Sequence, residues 1–246
     1  MKLTLERVLQ SQGFGSRRAC RKLILRGAVS VAGESFVRPQ SEVETQDLQW
    51  TVHGEPWRYR PRVYLALYKP PGTECSRKPS HHASVFELLP APFDARGVQP
   101  VGRLDHDSTG LLLLSDDGAF IHNQTTPRRH IPKTYVATIA DEVTPSLIAS
   151  LRAGVKLHAE PQPLAPRACR RVDENRLELV LDQGKYHQVK RMLAAAGTRC
   201  IALHRSAIGA LRLDALELAS GAWCDLDESQ RALAAETSLA TPLVAP

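Results

Sequence analysis

Val101-Gly102-Arg103-Leu104-Asp105-His106-Asp107-Ser108-Thr109-Gly110-Leu111-Leu112-Leu113-Leu114-Ser115-Asp116-Asp117-Gly118 carries a charged, turn-rich loop directly into four consecutive leucines. An apolar run of this kind, bounded by turn residues, fits a strand covered on both faces. A loop entering such a strand is anchored at the edge of a packed core, so a carboxylate on it can be held rigidly enough for catalysis. Asp105 and Asp107 are the candidates. Spacing by itself leaves them open: two acids two residues apart also suit a metal, paired carboxylates of the glycosidase kind, or plain turn chemistry of Asp, Ser and Gly.

Outward from this stretch, Val63 to Tyr68 alternates like a strand, and Lys69-Pro70-Pro71-Gly72 ends it because proline cannot extend a central ladder. On the other side, Lys133 to Ile139 alternates as a strand. Thr144 caps and Pro145 opens a helix running to Gly154, Arg176 to Asp182 reads as a strand, and Tyr186 to Ala196 as a helix stopped by Gly197. Strands and helices intermixed in this order predict an α+β architecture. The domain so defined spans residues 63–231. From Ala232 onward, AAETSLATPLVAP is small and poorly patterned, which predicts a frayed helix and then disorder.

The first 53 residues read as a separate module. Leu5, Val8 and Leu9 have helical spacing, Gly13-Phe14-Gly15 breaks the pattern, and Ser16 suits an N-cap. Stepping 100° per residue from that cap, Arg17, Arg18, Arg21, Lys22 and Arg26 share one half of a helix; Ala19, Cys20, Leu23 and Ile24 share the other, and Gly27 closes it. Ala28 to Glu34 and Asp47 to Val52 read as short strands. The basic half suits phosphate, although a solvated helix face has the same composition. Residues 54–62, with Gly54, Pro56 and Pro61 among charged and aromatic side chains, have no consistent period and read as a linker.

The 246 residues are 43% hydrophobic, enough for a real core, which excludes a purely disordered chain. Lys and Arg outnumber Asp and Glu by 32 to 26, and the pI of about 9.2 favours a polyanionic partner. No apolar run approaches the roughly 20 residues that cross a bilayer, and Met1 to Glu6 lacks a secretory apolar stretch, so a soluble cytoplasmic protein is expected. Cys20, Cys75, Cys169, Cys200 and Cys224 lie far apart without a CxxC pair and are expected to be reduced, structural thiols. The histidines, His187 among them, show no metal-ligand spacing and are expected on the surface or in packing.

GRLDHDSTGLLLLSDDG as a whole closely resembles the signature loop of pseudouridine synthases of the RsuA type. KTYVATI, GKYHQVKRMLAAAG, YKPPG and HRSAIGALRLDALELASGAW extend the resemblance from about Tyr64 to Leu226. GFGSRRACRKLILRGAVSVAGE resembles the RNA-binding domain named after ribosomal protein S-four, over about residues 1 to 53. The implied fold is a small α/β RNA-binding module followed by a catalytic domain with a mixed, mainly antiparallel sheet flanked by helices. The implied reaction breaks the bond between uridine N1 and the ribose, rotates the base and joins C5 to the sugar, with no metal or organic cofactor.

The same resemblance implies site residues. Asp105 corresponds to the catalytic aspartate, Tyr135 to the active-site tyrosine, and Lys190 to the basic residue beside the aspartate, with Arg191 its competitor. Many relatives have arginine where Lys190 stands; lysine keeps the charge but loses the fork. Leu104, Val189 and Tyr135 are expected as pocket walls. Arg103, Arg128, Arg129, Lys133, Lys185 and Arg191 are expected to meet phosphates, as are Arg17, Arg18, Arg21 and Lys22 of the first module. The implied partner is ribosomal RNA, foremost 16S RNA or an assembling small subunit, met by a monomer. Large-subunit 23S RNA and a non-catalytic role in ribosome assembly are the alternatives.

Overall fold

A computed structural model describes residues 1–238, and contacts divide the chain into two compact units. Unit 1 is Met1–Val63 together with Leu89–Gln99, and unit 2 is Tyr64–Leu88 with the chain from Pro100 onward.

Unit 1 begins with strand β1 (Lys2–Thr4), helix α1 (Leu5–Ser11) and helix α2 (Arg17–Leu25). Ser16 caps α2 by accepting from the Ala19 amide at 3.3 Å, and Gly27, at φ +70°, ends it. Cys20 and Ile24 of α2 pack with Leu5, Val8 and Leu9 of α1, while Ala19 is exposed rather than part of the apolar face. Strands β2 (Val29–Val31), β3 (Glu34–Phe36), β4 (Glu42–Glu44), β5 (Gln49–Val52) and β6 (Glu55–Arg58) follow. β1 pairs with β4, and the others form a sheet in the order β3-β2-β5-β6.

Residues 54–62 are therefore not a bare linker: β6 sets Trp57 opposite Trp50, and Phe14 meets the Trp57 ring edge-on at 4.9 Å. Pro56 hid this strand from the pattern. It is tolerated because β6 lies at the sheet edge, where a missing N–H breaks no ladder. The later segment adds helix α3 (Ala91–Ala95) to the same unit. Gly13, at φ +89°, is required there, since a Cβ would lie 2.0 Å from the Pro92 carbonyl oxygen.

Unit 2 is built on β7 (Tyr64–Lys69), which antiparallel pairing joins to the leucine strand. A short parallel pair, β8 (Thr73–Glu74) with β9 (Ala83–Ser84), and β10 (Gln99–Val101) lead to β11 (Thr109–Ser115). Then come α4 (Gly118–Thr125), β12 (Lys133–Ile139), α5 (Pro145–Ala153), β13 (Ala168–Arg171), β14 (Arg176–Leu181) and α6 (Gln188–Ala195). β15 (Cys200–Ile208), β16 (Leu211–Arg212), β17 (Trp223–Asp225) and α7 (Glu228–Ala235) complete it. Among the described residues the sheet has nine strands, in the main order β13-β14-β12-β15-β11-β7-β17. The pair β11·β15 is parallel; the other adjacent pairs along this path are antiparallel. This is the mixed, mainly antiparallel α+β arrangement.

Leu111, Leu112, Leu113 and Leu114 are all fully buried, and each such side chain contributes roughly 1.5–3 kcal/mol. Leu111 and Leu113 join Ala66, Val101, Ile131 and Ile208 in one cluster. Ala137, Ile139, Leu177, Leu179, Val189, Met192 and Leu193 form another, on the sheet face that Tyr135 shares. Thr144 caps α5 through the Leu147 amide at 3.1 Å. At the C-terminus α7 runs to Ala235 with Ala234 buried, so order extends beyond Ala232; residues 239–246 of the expected disordered tail lie outside the described residues.

Candidate active site

The loop before β11 is tied down from beneath by a residue the motif reading did not assign. Lys69, at the end of β7, is fully buried, and its Nζ donates to the carbonyls of Pro70 at 2.9 Å, His106 at 3.2 Å and Ser108 at 2.9 Å. Burial pushes this ammonium below its ordinary value, an effect opposed by Cys75, Asp107 and Asp105. Three carbonyls converging on one cation fix the backbone on either side of Asp107. Gly110 anchors the other end: at φ +110°, its absent Cβ would lie 2.3 Å from the Arg205 carbonyl oxygen of β15. Only glycine allows β11 and β15 to close at that point.

Asp105 is thereby held at a cleft of ≈ 720 Å³ whose lining includes Arg103, Leu104, Lys133, Tyr135, His187 and Arg205. Its Oδ2 lies 3.1 Å from Lys190 Nζ, and its Oδ1 lies 3.2 Å from His187 Nε2. The same ammonium donates to Asp107 Oδ1 at 2.6 Å, so one cation serves two carboxylates. For Asp107, burial works upward and is the largest single effect, but the Lys190 hydrogen bond and charge, with His106 and a backbone amide, together outweigh it and the carboxyl sits below its ordinary value. For Lys190, burial works downward, but Asp107 and Asp105 outweigh it and the ammonium sits above its ordinary value. Asp107, kept ionised, is a poor general acid, so it does not suit the protonated partner that a paired-carboxylate glycosidase needs.

Lys190 stands in the first turn of α6, which starts at Gln188, two residues later than the expected Tyr186. His187 takes left-handed geometry, φ 48° and ψ 34°, at the helix entry. That unusual conformation for a non-glycine residue brings its ring to Asp105. His187 is therefore not a generic surface histidine, and no metal-ligand spacing could have revealed it. Arg191 turns elsewhere: it bonds the His158 carbonyl and, at 3.3 Å, that of Tyr186. Lys185 pairs with Glu160.

Tyr135 and Lys133 stand two apart on β12 and so share a face, which continues into the buried Ala137 and Ile139. Across the ladder Tyr135 registers with Arg205, beside a register shift between Thr134 and Tyr135. Arg205 is only 3% exposed and its Nε donates to the Leu111 carbonyl at 2.7 Å. Leu104 lines the cleft, whereas Val189, also expected as a wall, belongs to the core. Val189 sits in the first turn of α6, on the side that packs against the sheet. Arg128 and Arg129 are exposed on a short turn after α4. At the rim, His82 stacks on His106 with centroids 4.3 Å apart and Tyr186 on His187 at 3.9 Å, flat aromatic surfaces of the kind that accept unstacked bases.

The basic face of α2 is partly committed within unit 1. Arg17 NH2 lies 2.6 Å and Arg21 Nε 3.7 Å from the carboxylate of Glu6, a residue only 1% exposed. The hydrogen bond from Arg17 holds the Glu6 carboxyl below its ordinary value against the opposing effect of burial. Arg18 and Lys22 are exposed.

Comparison with known proteins gives this geometry a family. Residues 63–195 match the family described as RNA pseudouridylate synthase. Ribosomal small subunit pseudouridine synthase A of Pasteurella multocida is 34% identical over 214 residues, covering 86% of this chain and 91% of that protein. An uncharacterized RNA pseudouridine synthase of Bacillus subtilis is 32% identical over 232 residues, 93% of this chain and 96% of the relative. A crystal structure of a pseudouridylate synthase superposes with a TM-score of 0.66 at 31% identity, covering 94% of this chain and 99% of the other. The matched segment contains the Asp105 loop, Tyr135 and Lys190 alike, and the chain belongs to the RNA pseudouridylate synthase family.

Proposed function

We propose that this chain isomerises a specific uridine of small-subunit, 16S ribosomal RNA to pseudouridine, with Asp105 as the catalytic carboxylate. The observation that carries the reading is the carboxylate itself. It stands at a cleft, fixed by a glycine and a buried lysine, with Lys190 at 3.1 Å and Tyr135 lining the same space. An oriented carboxylate is what attack on the sugar or base, or removal of a proton to give a glycal, requires. Lys190 balances its charge, and Tyr135 stacks on the extruded base, whose removal from its RNA context costs a few kcal/mol. Arg103, Arg128 and Arg129 meet the backbone as phosphate contacts. Relatives named for the small ribosomal subunit support the choice of RNA.

Unit 1 acts as an S-four-like RNA-binding module, with Arg18 and Lys22 its free cations toward phosphate and Arg17 and Arg21 shared with Glu6. The working form is a cytoplasmic monomer.

The test is to incubate wild type and Asp105→Asn with 16S and 23S RNA fragments and map pseudouridine by chemical sequencing. A single new pseudouridine in 16S RNA, lost in Asp105→Asn, is the expected result. Modification undiminished by the substitution removes Asp105 from catalysis, and modification confined to 23S RNA overturns the choice of subunit.

A further inference from the structure

Two cations of the cleft remain without a part in the account above. Lys133 Nζ donates to the Ile131 carbonyl at 2.7 Å and lines the cleft with its two other hydrogens uncommitted among the described contacts. Arg205 lines the same cleft; one of its guanidinium nitrogens is buried with no hydrogen-bond partner. A buried donor without an acceptor costs of the order of 1–3 kcal/mol and calls for a partner, which in a site is a water, an ion or a group of the substrate. Strand geometry puts both beside Tyr135: Lys133 two residues before it on β12, Arg205 directly across the ladder. Phosphate binding alone does not account for burying Arg205 to 3% exposure across the ladder from Tyr135.

We propose that Lys133 and Arg205 form a cationic wall that stabilises the negative charge developing on the uracil ring as its bond to the ribose breaks. The inference rests on the pseudouridine reading and assigns catalytic work to a residue first expected to meet phosphate. When C1′–N1 cleaves, the bonding pair leaves with the base and spreads from N1 onto O2 and O4. The electron-poor C1′ is taken up by an Asp105 oxygen, or relieved by loss of the 2′ proton. When C5 then bonds C1′, the C1′–O bond breaks back to Asp105, or the 2′ proton returns. C5 gives up its proton and N1 gains one, so nothing is oxidised or reduced. The wall acts at the first of these steps, where donors aimed at developing charge are most effective.

Burial, reinforced by Arg205, lowers the Lys133 ammonium to about 8, opposed by Asp182 at the end of β14. The other charged and titratable groups of the cleft are Arg103, Asp105, Tyr135, Lys185, Tyr186 and His187, with Glu74, Cys75, His81, His82 and His106. Because Lys133 must be protonated to act, the rate should fall as pH rises through about 8. Lys190, held above its ordinary value, stays charged over that range.

The experiment is single-turnover cleavage of C1′–N1 in an RNA fragment carrying the target uridine and in the same fragment with 5-fluorouridine, whose electron-withdrawing fluorine makes the base a better leaving group. Lys133→Met should slow uridine conversion about 10²-fold with RNA affinity retained. The deficit should shrink on 5-fluorouridine, and Lys133→Arg should recover part of the rate while losing the decline near pH 8. An equal deficit on both substrates, or weakened RNA binding with an unchanged maximal rate, overturns the wall and returns Lys133 to a phosphate contact. A wild type that forms no pseudouridine at all overturns the underlying reading instead, and is seen before any variant is compared. Lys133→Arg keeps the question answerable if the methionine variant does not fold.

Discussion

Two clusters in this molecule are built from the same parts and do different things. At Asp105 one lysine lies between two carboxylates; at Glu6 one carboxylate lies between two arginines. The Asp105 side chain is 28% exposed at a cleft, whereas that of Glu6 is 1% exposed between helices. In the first, the acid remains reachable and its cation is shared with Asp107; in the second, the acid is sealed and its cations face outward. An ion pair becomes a reactive site when the carboxylate keeps a free approach, and a structural clamp when it does not.

The sharpest way to break this contrast is to neutralise each acid in turn. Asp105→Asn should lower the pseudouridine rate by about 10⁴-fold while leaving the melting temperature almost unchanged, because it removes one of two acids competing for Lys190. Measured side by side, Glu6→Gln should do the reverse, lowering the melting temperature while leaving the rate on a short RNA fragment intact. If Asp105→Asn instead unfolded the protein with activity per folded molecule preserved, the two clusters would be alike and the catalytic assignment would fall.

The next effect lies beneath the loop. Lys69→Met should remove three charge-assisted hydrogen bonds and leave the Ser108 carbonyl buried without this donor, a loss of about 3 kcal/mol. The freed loop should also misplace Asp105, lowering the rate by about 10²-fold without abolishing RNA binding. A variant with wild-type turnover would mean that the leucine strand alone fixes the loop.

Much of this was legible from residue patterns, and the gaps have physical causes. The four leucines, the proline-opened helix α5 and the Ser16 cap follow from local rules and stand where they predict. β6 was missed because Pro56 reads as a breaker unless the strand is known to be an edge, and edges are set by long-range pairing. His187 was missed because its part depends on left-handed geometry at the helix entry, which no spacing or periodicity signals. Lys69 carried the weakest signal of all: a lysine ending a strand is ordinarily solvated, and only the folded loop supplies three carbonyls to bury it. The Arg17 and Arg21 pairs with Glu6 join two helices whose faces a periodicity analysis treats separately.

A smaller effect separates the clusters by pH. Glu6 is held below its ordinary value, so its ion pairs contribute stability that is complete above the unfolded carboxylate value and lost as pH falls through the folded one. The melting-temperature gap between wild type and Glu6→Gln should therefore be widest at neutral pH, begin to narrow as pH falls to the unfolded carboxylate value of about 4.3, and close only below the lower folded value. A gap constant with pH would mean that Glu6 acts by shape rather than charge.

The smallest expected effect asks which cations of α2 are free for RNA. Each lysine or arginine on a phosphate releases counterions, so its removal should lower the salt slope of binding by about one unit or less. Arg18→Ala with Lys22→Ala should reduce the slope by nearly the full amount for two contacts, because neither has a bond to Glu6. Arg17→Ala with Arg21→Ala should reduce it less, since those guanidiniums already spend part of their charge on Glu6, and should lower the melting temperature as well. Fluorescence anisotropy across a salt series reads the slope and a thermal melt reads the stability. Equal slopes for the two double variants would show that RNA draws Arg17 and Arg21 away from Glu6, and the sealed clamp would then be a second binding surface held closed until RNA arrives.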